Sequence, residues 1–393
     1  MTREETATAI ESLKREVGRY DQNKPGVTVI AIGGMHGNEP AGVLALQKVL
    51  SYLNEHNPRF SGRLIGLAGN LKALEAGERF IDRDLNRMWF VKPSGSLCSC
   101  EQCAEKEEFN ELKYHLKKEI NSATGDILFF DMHTTSAASQ PFLMIGDTIR
   151  NRKMVDGLPA PIILGVEEQL DGPLLSYINE LGHWSIGFEA GQHDDKNTVY
   201  YHEAMLWLLL EKAGCIDKFQ IPDYQLHYDT LRDVKRDLKK FYEVRLRNSI
   251  DESDDFEMNP GYYNFKSIQK GEAIAKDKTG VLKSPEKGKI FMPLYQKKGK
   301  DGFFIIRAVS PFWLNLSAGL RRLNIYHLLP LLPGVNKVKS DINVLAINTR
   351  IAKFLSKEFF HLFGYRKART VDSVLIMERR KYDFNAPPRK RKK

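Results

Sequence analysis

Gly26-Val27-Thr28-Val29-Ile30-Ala31-Ile32-Gly33-Gly34-Met35-His36-Gly37-Asn38-Glu39-Pro40 is the stretch from which the rest of the chain can be read. Its first seven residues make a β-branched run that predicts a buried strand, closed by Gly33-Gly34 in a tight turn. Pro40 suits the first turn of a following helix. Leu44, Val49, Leu50 and Leu53 give that helix an apolar face before Asn57-Pro58 stops it. The same alternation recurs downstream, with strands expected at 63–70, 126–131, 160–164 and 184–189 and helices at 109–120, 172–181 and 198–213. Strands alternating with helices predict an α/β fold: a mixed, largely parallel twisted sheet with helices on both faces.

Past Tyr224 the texture changes. Asn259-Pro260-Gly261, Lys270-Gly271, Thr279-Gly280, Ser284-Pro285 and Lys287-Gly288 punctuate short β-type segments, predicting a small β-rich domain. An α+β extension follows, in which Ile347–Phe363 reads as an amphipathic helix and Val371–Met377 as a strand. The expected units are an N-terminal helix or arm (1–24), the α/β domain (25–220), the β-rich domain (221–308), the extension (309–382) and a basic tail (383–393).

Composition narrows the class. With 59 basic and 50 acidic residues the net charge is +9, and the excess gathers toward the Pro387-Pro388-Arg389-Lys390-Arg391-Lys392-Lys393 end. A solvated terminus is the favoured reading of that tail over nucleic-acid binding. For the extension, packing on the β-rich domain is favoured over contact with a membrane face. Polar residues 1–23 lack the apolar core of a secretory signal, which predicts cytoplasmic residence. The longest apolar runs fall far short of the roughly 20 residues of a spanning helix. Four cysteines make no disulfide framework, and Cys98, Cys100 and Cys103 read as an exposed loop before they read as a second metal site.

His36 and Glu39 stand three residues apart at a turn after a strand, where an imidazole and a carboxylate can converge on one ion. Alone, the pair is a weak signal, since a surface pair at that spacing occurs often by chance. His133 in Asp131-Met132-His133-Thr134-Thr135 follows a later strand, on the rim where open α/β sheets bind ligands, and Asp131 is placed to accept a ligand imidazole's free N–H. Glu189 sits in the apolar Ile186-Gly187-Phe188-Glu189-Ala190-Gly191, a setting that raises a carboxyl's pKa toward general-base use, though a structural ion pair also accounts for it. Arg79, Arg83 and Arg87 with Asn86 crowd one short loop, suited to carboxylate and oxyanion binding when paired with a metal site.

Taken in order, Gly-Gly-Met-His36-Gly-Asn-Glu39-Pro-Ala-Gly, Arg79-Phe-Ile-Asp-Arg-Asp-Leu-Asn86-Arg87, Asp131-Met-His133-Thr-Thr and Gly-Phe-Glu189-Ala-Gly-Gln resemble the succinylglutamate desuccinylase/aspartoacylase family, distant relatives of the zinc carboxypeptidases. The resemblance covers roughly residues 25–305. It implies one zinc ion on His36, Glu39 and His133, Glu189 as general base, Arg79 beside the scissile carbonyl, and Asn86 with Arg87 on a substrate carboxylate. Aspartoacylases carry a further substrate-reading arginine before the catalytic glutamate; Tyr177–Ser185 offers only Asn179 and His183, which puts acetylaspartate specificity in doubt.

The expected partner is therefore a small acylated amino acid or amide, hydrolysed by a zinc-dependent deacylase. The rival readings are a carboxypeptidase-like hydrolase of short peptides and a non-catalytic binding protein with a basic C-terminal surface.

Overall fold

A computed structural model describes residues 12–90, 103–170, 172–296, 299–352 and 357–387. Its centre is an 11-stranded mixed sheet. The first eight strands in chain order are β1 (Glu16–Asp21), β2 (Thr28–Gly33), β3 (Arg63–Ala68), β4 (Ile127–Thr135), β5 (Phe142–Ile145), β6 (Ile162–Leu164), β7 (Trp184–Gln192) and β8 (Phe241–Ser249). β3, β2, β4 and β7 run parallel, β5 is antiparallel to β7, and β6 and β8 extend the sheet in parallel.

Alternating side chains explain how one sheet carries two helical layers. Val29 and Ala31 of β2 and Phe130 of β4 face one core, shared with helices Ala41–His56 and Thr198–Lys212. Ile30, Ile32 and Phe129 face the other, shared with helices Ala104–Ser122 and Leu174–Leu181. Burial on both faces favours apolar residues at successive positions, which is why Val29–Ile32 of β2 and Ile127–Phe130 of β4 read as unbroken hydrophobic runs.

Three features depart from the sequence expectations. Within 1–24, Glu16–Asp21 is not helical but an edge strand antiparallel to β3. The chain past Tyr224 first forms the helix Tyr224–Lys235, packed on Thr198–Lys212. β8 then joins the main sheet, so only Glu257–Met258, Ala273–Asp277 and Gly280–Lys283 form a separate three-stranded sheet.

The expected helix over 347–363 is also replaced. Asp341–Asn348 is a strand with Leu345 and Ile347 buried at period two, and among the described residues of 347–363 the helical ones are Lys357–Leu362. Asp341–Asn348 belongs to a four-stranded antiparallel sheet with its own core, including Leu345, Phe360, Tyr365 and Met377. Val374–Arg379 carries most of the strand expected at 371–377.

The extension is tied to the main unit by a buried ionic cluster. Arg321 donates to the Asp147 carboxylate at 2.9 Å and to the Asp383 carboxylate at 3.3 Å, and Arg152 and Arg366 also reach Asp147. Burial alone would raise the Asp147 carboxyl, but Arg152, Arg366 and Arg321 hold it well below the usual carboxylate range.

Candidate metal and catalytic site

The turn after β2 is built for close approach. Gly34 has φ +66, and a Cβ there would lie 2.6 Å from Leu74 Cδ1; a Cβ on Gly37 would lie 1.9 Å from the Ala73 carbonyl oxygen. Only glycine fits either position. The turn drops His36 and Glu39 over the carboxyl ends of β2 and β4. β4 runs past Asp131 to Thr135, so His133 lies inside the strand rather than beyond it. His133 and Glu189 are register partners on β4 and β7.

These elements bring His36, Glu39 and His133 together. Glu39 Oε1 is 2.9 Å from His36 Nδ1, and Glu39 Oε2 is 3.0 Å from His133 Nδ1. The three ligand-capable atoms lie within 4.8 Å of one another and all three residues are buried. Donors around a tetrahedral zinc at bond lengths of about 2.0–2.1 Å sit about 3.4 Å apart, so the cluster has the right scale.

The outer ring nitrogens also meet acids: His36 Nε2 is 3.2 Å from Asp84 Oδ1, and His133 Nε2 is 2.9 Å from Asp131 Oδ2. Each imidazole thus presents both nitrogens to carboxylates. Such an arrangement requires either a proton on both nitrogens or a cation at the Nδ1 side, and the latter is how metal-bound histidines are oriented. The donor set therefore fits a divalent ion of the zinc type.

Electrostatics separates the acids. Burial opposes ionisation of Glu39, but His36 and His133 hold it well below its ordinary value; Asp84 is likewise held low against burial by His36, Arg87 and Arg79. Glu189 goes the other way. Burial pushes its carboxyl up to about 8, with His133 pulling down and Glu39 adding to the rise. Its Oε2 has no hydrogen-bond partner among the described residues. Glu39 and Asp84 are thus held low by the imidazoles and arginines they face, while burial raises Glu189 beside them.

Arg79 joins the cluster, with Nη1 3.5 Å from Glu39 Oε1 and Nη2 3.3 Å from Asp84 Oδ2. Asn86 and Arg87 are engaged elsewhere. Asn86 Oδ1 accepts from the Leu174 amide at 2.9 Å, capping the helix Leu174–Leu181, and Arg87 Nη2 is 3.6 Å from Asp301 Oδ2. Asn179 lies toward the opposite end of β7, its Oδ1 taken by Asn151, and His183 faces Phe129 there.

Several participants were not singled out from sequence. Asp84 stands between His36 and Arg79, and His193 contacts Thr134 Oγ1 at 2.7 Å beside the cluster. Glu105, fully buried, accepts from the amides of Ile81, Asp82 and Arg83 at 2.7, 3.1 and 3.0 Å and so clamps the arginine loop in place. The signal for Asp84 was an acid two residues from Asn86 in a loop already suspected. Glu105 gave none, because a glutamate in a charged helix looks solvent-facing. Cys103 is buried, while Cys98 and Cys100 lie outside the described residues.

Comparison with known proteins agrees with this geometry. Residues 25–201 match the succinylglutamate desuccinylase/aspartoacylase catalytic domain. A succinylglutamate desuccinylase of Pseudomonas paraeruginosa is 28% identical over 116 residues, covering 29% of this chain and 33% of that protein. A probable aspartoacylase of Nostoc is 29% identical over 121 residues, covering 30% of this chain and 39% of that one. The matched stretch thus spans only about a third of the length of these relatives. The crystal structure of a succinylglutamate desuccinylase/aspartoacylase from Rhodobacter sphaeroides superposes with a TM-score of 0.53 at 18% identity, covering 73% of this chain and 87% of the other; it shares the fold. Residues 25–201 of the chain are thus similar to the succinylglutamate desuccinylase/aspartoacylase catalytic domain.

Proposed function

We propose that the protein is a zinc-dependent hydrolase that cleaves the amide bond of an N-acyl amino acid or a related small amide bearing a carboxylate. The observation that carries this reading is the buried Glu39 carboxylate bridging the Nδ1 atoms of His36 and His133, with Glu189 on the adjoining strand. His36, Glu39 and His133 would hold one ion per chain. When bound, zinc supplies Lewis acidity toward the amide carbonyl and makes water more acidic.

The remaining work falls to the chain's own side chains. Glu189 takes the proton of the attacking water and delivers it to the departing amine, a role suited to a carboxyl whose pKa is pushed up to about 8 by burial. Arg79 faces the negative charge that develops on the carbonyl oxygen. Arg87, oriented beside Asp301, and Asn86 hold the substrate carboxylate so that the amide faces His36, Glu39 and His133. The names borne by the relatives, desuccinylase and aspartoacylase, support an acyl amino acid as the substrate class.

The test is a screen of zinc-loaded protein against N-succinyl, N-acetyl and other N-acyl amino acids alongside unblocked dipeptides. Turnover of at least one acyl amino acid is expected. Hydrolysis confined to dipeptides would replace deacylation with a carboxypeptidase-like activity, and no hydrolysis of either would remove the enzymatic reading.

A further inference from the structure

Charge is divided unevenly along the chain. Residues 309–393 carry 18 lysines and arginines against 5 acidic residues, a net +13, whereas residues 1–308 carry 41 against 45, a net −4. The extension and tail together, which lie outside the family match, therefore carry a larger net positive charge than the whole protein.

Among the described residues, half of the exposed large hydrophobic side chains also lie in the extension. The helix Pro311–Arg322 buries one side: Ser317 donates to the Leu362 carbonyl, and Arg321 enters the Asp147–Asp383 cluster. Its other side is apolar yet faces outward. Phe312, Trp313 and Leu316 are exposed there and Leu323 continues the stripe at 72% exposure, while Gly319 between them has nothing within 4 Å of where a Cβ would stand. The adjoining turn Ile325–Leu331 adds Leu328 and, at 79% exposure, Leu331. Soluble proteins rarely leave so many large apolar side chains uncovered on neighbouring elements.

Basic residues accompany this surface. Arg322 turns outward next to the inward Arg321, and Lys337, Lys339 and Arg350 are exposed on the segments that follow. Between Arg307 and Ala352 the sequence has five basic residues, all but Arg321 exposed, and one acid, Asp341. We infer that this face of the extension docks on an anionic lipid bilayer, the helix Pro311–Arg322 lying in the interface with Phe312, Trp313, Leu316 and Leu323 in the acyl boundary and the arginines and lysines at the headgroups. Leucine and tryptophan on one side with cations around them is the composition of an interfacial helix, and neither signal alone holds a protein firmly. Nucleic acid would use the cations and stack on aromatic rings, leaving the exposed leucines without purpose.

The anchor leaves the reactive rim clear. Asp147 lies just past Ile145, whose register partner on β7 is Ile186, whereas Phe142 at the other end of β5 pairs with Glu189. The extension is thus fastened at the end of the sheet opposite the acid and the histidines.

The experiment is co-sedimentation of the full-length protein with phosphatidylcholine vesicles, with and without about a third phosphatidylglycerol. Binding to the anionic vesicles is expected, weakened at high salt and absent from pure phosphatidylcholine. A Trp313→Ser/Leu323→Ser/Leu331→Ser variant should lose about tenfold or more in affinity, and Arg322→Glu/Lys339→Glu should lose as much, with unchanged circular dichroism, since all five side chains are exposed. Failure of the wild type to bind anionic vesicles would overturn the proposal. So would full binding by the serine variant, which would make the attraction purely ionic. Tighter binding of a single-stranded RNA oligonucleotide that the serine variant retains would assign the surface to nucleic acid, and apolar-dependent self-association without vesicle binding would assign it to a second copy of the chain.

Discussion

Glu189 and His133 are register partners on the parallel strands β7 and β4, so the acid raised by burial and a candidate metal ligand share a rung of the sheet. Replacing Glu189 by glutamine keeps the volume and removes the exchangeable proton. Hydrolysis should fall roughly 10²–10⁴-fold while zinc content stays unchanged. Near-normal turnover would show that another group handles the proton.

The same residue predicts a pH effect on the ion-free protein. Its folded carboxyl titrates at about 8 against an ordinary 4.5, because burial disfavours the charged form. The folded state therefore keeps this proton longer than the unfolded chain. The stabilisation is complete below about pH 4.5 and is lost as pH rises through about 8. Metal-free Glu189→Gln, which cannot ionise, should match the wild type in thermal melting in acid and exceed it near pH 9. Identical melting at both ends would contradict burial as the cause.

Asp84 faces the outer nitrogen of His36 and also caps the turn Leu85–Arg87 through the Asn86 amide. Asp84→Asn keeps an acceptor for that amide and loses only the charge. Zinc affinity should drop about 10–100-fold with little change in melting of the metal-free protein. Unaltered affinity in a competition titration would mean that Asp84 does not orient His36.

Glu105 uses two carboxylate oxygens to hold three backbone amides of the arginine loop. In Glu105→Gln one oxygen becomes an NH₂ group that confronts an amide donor. A loss of about 2–3 kcal/mol in urea denaturation is expected, with reduced kcat as Arg79 loses its placement. Wild-type kinetics in this variant would show that the loop is held by other contacts.

Arg321→Met would leave Asp147 and Asp383 buried with one fewer cation. Removing one partner from a buried ionic group costs about 3–5 kcal/mol, and the Asp383 contact to the Ile149 amide should loosen with it. Faster amide exchange at 149–150 with weaker overall stability is the expected pattern. A loss below about 1 kcal/mol would show that the extension is held by its apolar contacts instead.

How much of this could be read in the sequence depended on whether local pattern and tertiary context agreed. The Gly33-Gly34 pair after a β-branched run marked the turn that carries His36 and Glu39, and the apolar stretches Val29–Ile32 and Ile127–Phe130 marked β2 and the first half of β4, whereas the crowding of Gly34 by Leu74 and of Gly37 by Ala73 is visible only in the fold. β5 was not: Phe142–Ile145 is four residues long, and its antiparallel place beside β7 is a tertiary decision. Of the helix expected over 347–363, Ile347 and Asn348 instead end a strand paired with Val374–Arg379, a tertiary choice, while Lys357–Leu362 is helical. Among site residues, His36, Glu39, His133, Arg79 and Glu189 converge, whereas Asn86 and Arg87 meet Leu174 and Asp301, contacts that no spacing within their own loop could reveal.

The most direct test of the central claim is calorimetric titration of zinc into metal-free wild type and into Glu39→Gln. Tight binding of one ion per chain by the wild type, with a large loss in the variant, is the predicted result. Absence of zinc binding by the wild type, or unweakened binding by Glu39→Gln, would contradict a metal centre formed by Glu39 between His36 and His133.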